Sequence, residues 1–308
     1  MVARALVVSA FGLIAAVGPQ QQGARKLLVA HRGASAYAPE HTVEAYRLAI
    51  EQRADFVEQD LAVTKDGVLV CIHDLTLDRT TDAEEVFPDR FSEDRSGTTP
   101  VRRWLVHDFT LAEIKRLDAG SWFDSRFAAE RVPTWNEAVA AIGTSAGLYP
   151  ELKTPDLYGA RGIDQVRMFV ESMQRPPLAE RLRGSVIVQS FDDRALRDLA
   201  AMLPAVPRTF LIEVRDGPRW LSRHGLAEVA TFATGIGPEK ALLNDHSEIV
   251  EWAHEAGLSV IPYTFSTLGP STRFPDVTDE MRHYLTTLGV DALFTDNPDR
   301  FPRDADSR

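Results

Sequence analysis

Residues 27–60 read LLVAHRGASAYAPEHTVEAYRLAIEQRADFVEQD, and this stretch decides the fold class. Two short β-rich runs, 27–31 and 56–60, flank a helical pattern over 42–52 that Thr42 can cap. A strand, a helix and a strand in that order build a parallel sheet. Working outward, further strands are expected at 148–151, 186–190, 208–212, 232–236, 258–263 and 292–295, with helical patterns such as 163–173 and 247–256 between them. Eight strands is the number that closes a (β/α)8 barrel.

One β segment, 68–73, stands outside this alternation. Only Lys65-Asp66-Gly67 separates it from 56–64, which is too short for a parallel crossover, whereas Asp-Gly favours a hairpin. Folding about 65–67 sets His73 opposite Glu58–Asp60. The segment 74–132 also breaks the alternation, with a Gly97-Thr98-Thr99-Pro100 turn and a short helical pattern at 110–116. It is expected to be a small insertion over the C-terminal mouth of the barrel, a lid or substrate selector. Its alternative is a solvated surface excursion.

The chain of 308 residues is long enough for one barrel domain, here 27–302, without a disulfide or structural metal. A net charge of −11 argues against a nucleic-acid partner, so an anionic small-molecule substrate must be drawn in by local positive charge. Cys71 is the single cysteine, which excludes an intramolecular disulfide and a cysteine-rich zinc or iron–sulfur site. Arg4, the apolar run 5–17 and the polar stretch 19–23 read as a signal peptide over 1–23, too short to span a bilayer. With no cysteine there for lipid attachment, the expectation is an exported protein, periplasmic or secreted, without a stable membrane anchor.

Three polar clusters close expected strands, where barrel active sites lie. The first is His31-Arg32-Gly33, followed by Glu40 in the same loop. Arg32 can grip a phosphate through paired hydrogen bonds. The second is Glu58-Gln59-Asp60, in which strand periodicity turns Glu58 and Asp60 to one face. Adjacent carboxylates repel unless a cation neutralises them, and hard oxygen ligands suit Ca2+ or Mg2+. The third is Glu151-Leu152-Lys153, where Glu151 completes a carboxylate triad and Lys153 neutralises a phosphate. A salt bridge from Glu151 to Lys153 or Arg32 is the competing reading. His31 and His73, on either side of a metal-held phosphate, form an acid–base pair. Gln189 either reaches into the mouth or satisfies a backbone group. His41 takes a minor place in the first loop. No P-loop, dinucleotide fingerprint or Gly-x-Ser-x-Gly elbow follows any strand.

The segments HRGASAYAPEHT from His31, EQDLAVTKDG from Glu58, HDLTLDRTTD from His73, FPDR from Phe87 and DFTLAEIKRL from Asp108 form one pattern. PELK from Pro150, QSFD from Gln189, IGP from Ile236, PYT from Pro262 and LFTDNPD from Leu293 continue it. Together they resemble the glycerophosphodiester phosphodiesterase family, in its periplasmic bacterial branch, over 27–302; the match is loose over 204–242. The resemblance implies a (β/α)8 barrel with an insertion after the hairpin, and hydrolysis of glycerophosphodiesters to sn-glycerol 3-phosphate and an alcohol. It implies one divalent cation, Ca2+ ahead of Mg2+, on Glu58, Asp60 and Glu151. It also implies acid–base catalysis by His31 and His73, with Arg32 and Lys153 on the phosphate. Many members carry asparagine where this chain has His41. Two rivals are a phospholipase D-like barrel acting on lysolipids, which the charged insertion disfavours, and an exported binding protein, which has no use for two flanking histidines.

Overall fold

The computed structural model describes residues 25–181, 185–269 and 271–303, so the expected signal peptide lies outside the described residues. Eight parallel strands form the barrel: β1 (Leu27–Ala30), β2 (Phe56–Val63), β6 (Gly147–Leu152), β7 (Val188–Ser190), β8 (Arg208–Ile212), β9 (Gly235–Pro238), β10 (Ser259–Val260) and β11 (Ala292–Thr295). They run in the order β10-β9-β8-β7-β6-β2-β1-β11. The seam between β10 and β11 is closed by the backbone: Asp291 N donates to Val260 O (3.0 Å), Phe294 N to Pro262 O (3.1 Å) and Phe265 N to Phe294 O (2.9 Å). Among the described residues no helix is long and apolar enough to cross a membrane.

Local chemistry sets the helix starts. Thr42 caps helix Val43–Glu51 by accepting from Ala45 N, and Thr134 with Glu137 forms a reciprocal capping box on helix Trp135–Ile142. The extra strand β3 (Leu69–Cys71) pairs antiparallel with β2, Leu61 opposite Cys71 and Val63 opposite Leu69. Ile72 N donates to Asp60 O (3.0 Å), so the ladder continues and sets His73 across from Gln59, within the span expected.

Two expected strands shift. The run 232–236 gives way to β9, because Phe232 closes the turn after helix Arg223–Val229 and packs its ring 5.4 Å from Phe210 and 6.3 Å from Trp220. Gly235 and Gly237 carry the strand instead; a Cβ on either would lie 2.4 Å from Ser259 Oγ or 2.6 Å from Leu211 Cδ2. The run 258–263 forms a regular ladder only over β10, since Pro262 has no N–H to donate. Isolated bonds from Ile261 and Tyr263 continue the pairing with β9.

The insertion contains β4 (Ser92–Asp94) and β5 (Val101–Arg103), paired antiparallel, and short helices that include Leu111–Ile114. Trp104, Val106, Phe109, Ile114 and Leu117 form a separate apolar core that packs on Ala62, Val70 and Ile72 of the β2–β3 hairpin. Burying that core draws the insertion onto the hairpin flank. Several of its charged groups pair locally, Arg90 with Glu113, Arg95 with Glu93 and Arg103 with Asp78.

Trp104 is 3% exposed and donates its indole N–H to Phe87 O (2.7 Å). Trp104→Ala should cost about 3–5 kcal/mol of local stability. Amide exchange should accelerate across 75–132 while protection in β6–β9 holds; uniform loss of protection would show that insertion and barrel unfold as one unit.

Candidate active site

The interior of the barrel is layered by strand periodicity. Val29, Phe56, Tyr149, Ala292 and Phe294 point inward and form an apolar floor, with the Tyr149 ring 5.8 Å from Phe56 and 5.1 Å from Phe294. Two residues further along each strand, the same face presents His31, Glu58, Glu151 and Asp296. Two residues further again come Asp60 and Lys153. The fold therefore stacks a charged layer directly on an aromatic one.

The parallel register places Asp60 beside Glu151, and Glu151 beside Gln189. Glu58, Asp60 and Glu151 are 1%, 1% and 6% exposed. Lys153 Nζ lies 3.2 Å from Glu151 and 3.5 Å from Asp60, and Arg32 Nε 3.5 Å from Asp60. The Glu151–Lys153 ion pair weighed as a competing reading is therefore present, while Arg32 pairs with Asp60 and Glu40 instead. These pairs leave the cluster short of positive charge. Burial, and then the repulsion of Asp60, holds the Glu58 carboxyl well above the usual range. Burial pushes Glu151 up to about 8 against the pull of Lys153. Burial alone would raise Asp60 too, but Lys153, His41 and His73 outweigh it and hold Asp60 well below its ordinary value.

The loop after β1 is built around this layer. Arg32 adopts φ 56° and His41 φ 57°, left-handed conformations that cost non-glycine residues energy. In return the Arg32 amide donates to Glu58 Oε2 (2.8 Å) and His41 N to Arg32 O (3.0 Å). Gly33, at φ 87°, lies so close to helix Val43–Glu51 that a Cβ would sit 2.7 Å from the Ala45 backbone. His41 is buried, with Nε2 2.8 Å from Asp60 Oδ2 and Nδ1 3.0 Å from Tyr46 Oη. His41, Glu58 and Asp60 each bring one candidate ligand atom within 4.8 Å of the others.

Each of the two paired histidines has a carboxylate behind it. His31 Nδ1 is 2.7 Å from Asp296 Oδ1, which also accepts from Ser35 Oγ (2.9 Å). Burial would raise Asp296, yet the bonds from His31, Ser266 and Ser35 hold it low. His73 Nδ1 is 2.7 Å from Asp74 Oδ1, and Arg79 ties Asp74 to Glu40 (2.6 Å to Asp74, 2.7 Å to Glu40). Glu40, buried but bonded to Arg79 and paired with Arg32, is held down at about 2.

All eight residues singled out in the sequence lie in or at the rim of this layer. Gln189 resolves toward the mouth: its Nε2 faces Glu58 Oε1 at 3.5 Å, and its buried Oε1 has no protein hydrogen-bond partner. Sequence reasoning missed Asp296, Asp74, Arg79 and the bond from His41 to Asp60. The insertion supplies Asp74 and Arg79, but none of residues 74–132 lines the groove that opens from the mouth.

The barrel with its carboxylate layer and carboxylate-backed histidines defines a phosphoryl-transfer type of site. The sequence pattern of the glycerophosphoryl diester phosphodiesterase family matches residues 31–300, and the chain belongs to that family. A Bacillus subtilis glycerophosphodiester phosphodiesterase is 35% identical, the alignment covering 90% of this chain and 85% of the relative. A Haemophilus influenzae glycerophosphodiester phosphodiesterase is 30% identical over 91% of this chain and 89% of its own length. Among solved structures, an Oleispira antarctica phosphodiesterase in complex with sn-glycerol-3-phosphate superimposes with a TM-score of 0.69 at 25% identity. That match covers 92% of this chain and 97% of the other.

The raised carboxyls carry a stability consequence whose sign follows from linkage. Between the ordinary value of 4.5 and about 8, folded Glu151 holds a proton that the unfolded chain releases, so stability falls as pH rises through that window. In chelator, Tm should drop from pH 5 to pH 8, and Glu151→Gln should flatten the slope and melt higher than wild type at pH 8. A wild-type Tm that is flat or rising over that range would contradict the assignment.

Proposed function

We propose that this chain is a divalent-cation-dependent hydrolase that cleaves glycerophosphodiesters to sn-glycerol 3-phosphate and an alcohol. The observation that carries the reading is one mouth holding three buried carboxylates, the cationic side chains of Arg32 and Lys153, and two carboxylate-backed histidines. Glu58, Asp60 and Glu151 would hold the ion, and the raised Glu58 and Glu151 fit a site meant for one. A bound divalent cation supplies charge neutralisation and Lewis-acid polarisation at the phosphoryl oxygens. The all-oxygen, irregular carboxylate set favours Ca2+ over Mg2+, which demands near-octahedral geometry and keeps its waters. His41 has both ring nitrogens engaged, so its part is to orient Asp60.

Arg32 and Lys153 bind the non-bridging phosphate oxygens and stabilise the charge that builds up on them in the transition state. Of His31 and His73, one takes the proton of the attacking hydroxyl and the other protonates the departing alcohol oxygen; the attacker is water, or the neighbouring glycerol hydroxyl, whose cyclic phosphate a water then opens to sn-glycerol 3-phosphate. The carboxylates behind them fix ring orientation and tautomer, as Asp296 does through Nδ1 of His31. Gln189 offers its unpartnered Oε1 to a substrate hydroxyl. The same reading makes the chain an exported enzyme, periplasmic or secreted, supported by the apolar run 5–17 after Arg4. Recovery of the mature chain, shortened at its N-terminus, outside the cytoplasm would bear that out.

Chelation should abolish release of sn-glycerol 3-phosphate from glycerophosphocholine, with Ca2+ restoring it better than Mg2+. Full turnover by protein shown to be metal-free would end the cation reading. His31→Ala and His73→Ala should each lower kcat by about 10²–10⁴-fold with near-UV circular dichroism unchanged. Near-wild-type turnover by either variant would return that histidine to a structural role.

A further inference from the structure

The groove leaving the mouth is far larger than a phosphate and a glycerol need, about 960 Å³. It begins at His73, Glu151 and Lys153 and runs out past Phe191, Glu213, Glu239 and Tyr263. Two features mark its outer half. The rings of Phe191 and Tyr263 meet edge to face with centroids 6.0 Å apart, and Phe191 is 38% exposed. Carboxylates surround that pair. Glu239 pairs with Tyr263 across the strand ladder, and Glu213 lines the same groove.

The cations of this wall are already committed. Arg215 lies 2.8 Å from Glu213, Arg194 is paired with Asp156, and Lys240, next to Glu239, turns away to Glu280 at 2.9 Å. Glu239 itself, half-buried on the groove wall, has no cationic partner at ion-pair distance among the described residues. An anionic diester would thus be gripped at its phosphate by Lys153 and Arg32, while the arm beside His73 meets a negative, aromatic wall. A neutral polyol gains nothing from such a wall, whereas an ammonium group gains both from the carboxylates and from the ring faces.

We propose that Phe191, Tyr263 and Glu239, with Glu213 at the rim, form a subsite for the alcohol arm that selects alcohols bearing an ammonium or quaternary ammonium group. The inference rests on the hydrolase reading for the identity of the phosphate-binding end. Neither Glu239 nor Phe191 is itself a member of the carboxylate layer or of the histidine pair.

The decisive comparison uses two diesters of the same shape, glycerophosphocholine and its uncharged isostere with 3,3-dimethylbutanol in place of choline. The wild type with its cation should show kcat/KM about 5–20-fold higher for the choline ester, from one cation–π contact plus one partly screened ion pair. Glu239→Gln and Phe191→Ala should each bring that ratio towards one, and 0.5 M salt should shrink the wild-type ratio (roughly a Debye length of 4 Å). Binding of both diesters to His73→Ala, measured by calorimetry, reads the same discrimination without turnover. Equal kcat/KM and equal Kd for the two diesters would overturn the subsite. A preference that persists in both variants would also overturn it. Discrimination in Kd with no hydrolysis of either ester would strike the hydrolase reading and leave the subsite standing.

Discussion

Everything at the mouth of this barrel follows from burying Glu58, Asp60 and Glu151 side by side on an aromatic floor. Like charges in a poorly solvated layer repel strongly, and removing them from water adds its own cost. The protein's own cations meet only part of that demand: Lys153 bridges Asp60 and Glu151, and Arg32 divides itself between Asp60 and Glu40. Glu58 is left with an amide from Arg32 and a long contact from Gln189. A layer assembled in this way is tolerable only because the surrounding barrel over-determines it, with both flanking strands locked in register and the apolar layer below unable to yield. The left-handed Arg32 and His41 belong to the same arrangement, since their strain is what turns an amide and an imidazole towards the carboxylates.

Much of this was legible in the sequence because strand periodicity is a rigid rule. Once 56–60 and 148–151 were read as parallel strands, Glu58 and Asp60 had to share a face, and Lys153 had to follow Glu151. The hairpin was equally forced, since three residues cannot span a crossover, and it brought His73 to the level of Gln59. What stayed hidden depends on contacts between distant segments. Asp296 lies 265 residues from His31, and no local pattern ties them. The Glu40–Arg79–Asp74 chain joins the first loop to the insertion through side chains whose partners exist only once the barrel has formed. β9 was misplaced for a different reason: Gly-Ile-Gly-Pro has poor strand propensity, and its glycines are there because neighbouring strands leave no space for a Cβ.

The insertion shows how an apolar core can override what surface charge suggests. Its acidic and basic clusters look placed to screen a substrate, but the packing of Trp104, Phe109 and Leu117 on the hairpin settles where the unit sits. Only its first few residues reach the mouth, where Asp74 and Arg79 brace His73. The loops that follow β7, β8 and β9 line the groove directly. These loops can vary in sequence without touching the carboxylate layer.

The bond between His31 and Asp296 joins the first barrel strand to the last, since β1 and β11 are neighbours in the closed sheet. A ribosome completes His31 early and Asp296 near the end of its work. Until β11 slots in beside β1, the histidine lacks the carboxylate that orients it and the cylinder stands open along one side. Chains that end short of β11 thus lack the oriented histidine, however much of the carboxylate layer they have already formed. The His31–Asp296 bond arrives with the final turn of the barrel, as a property of the finished molecule.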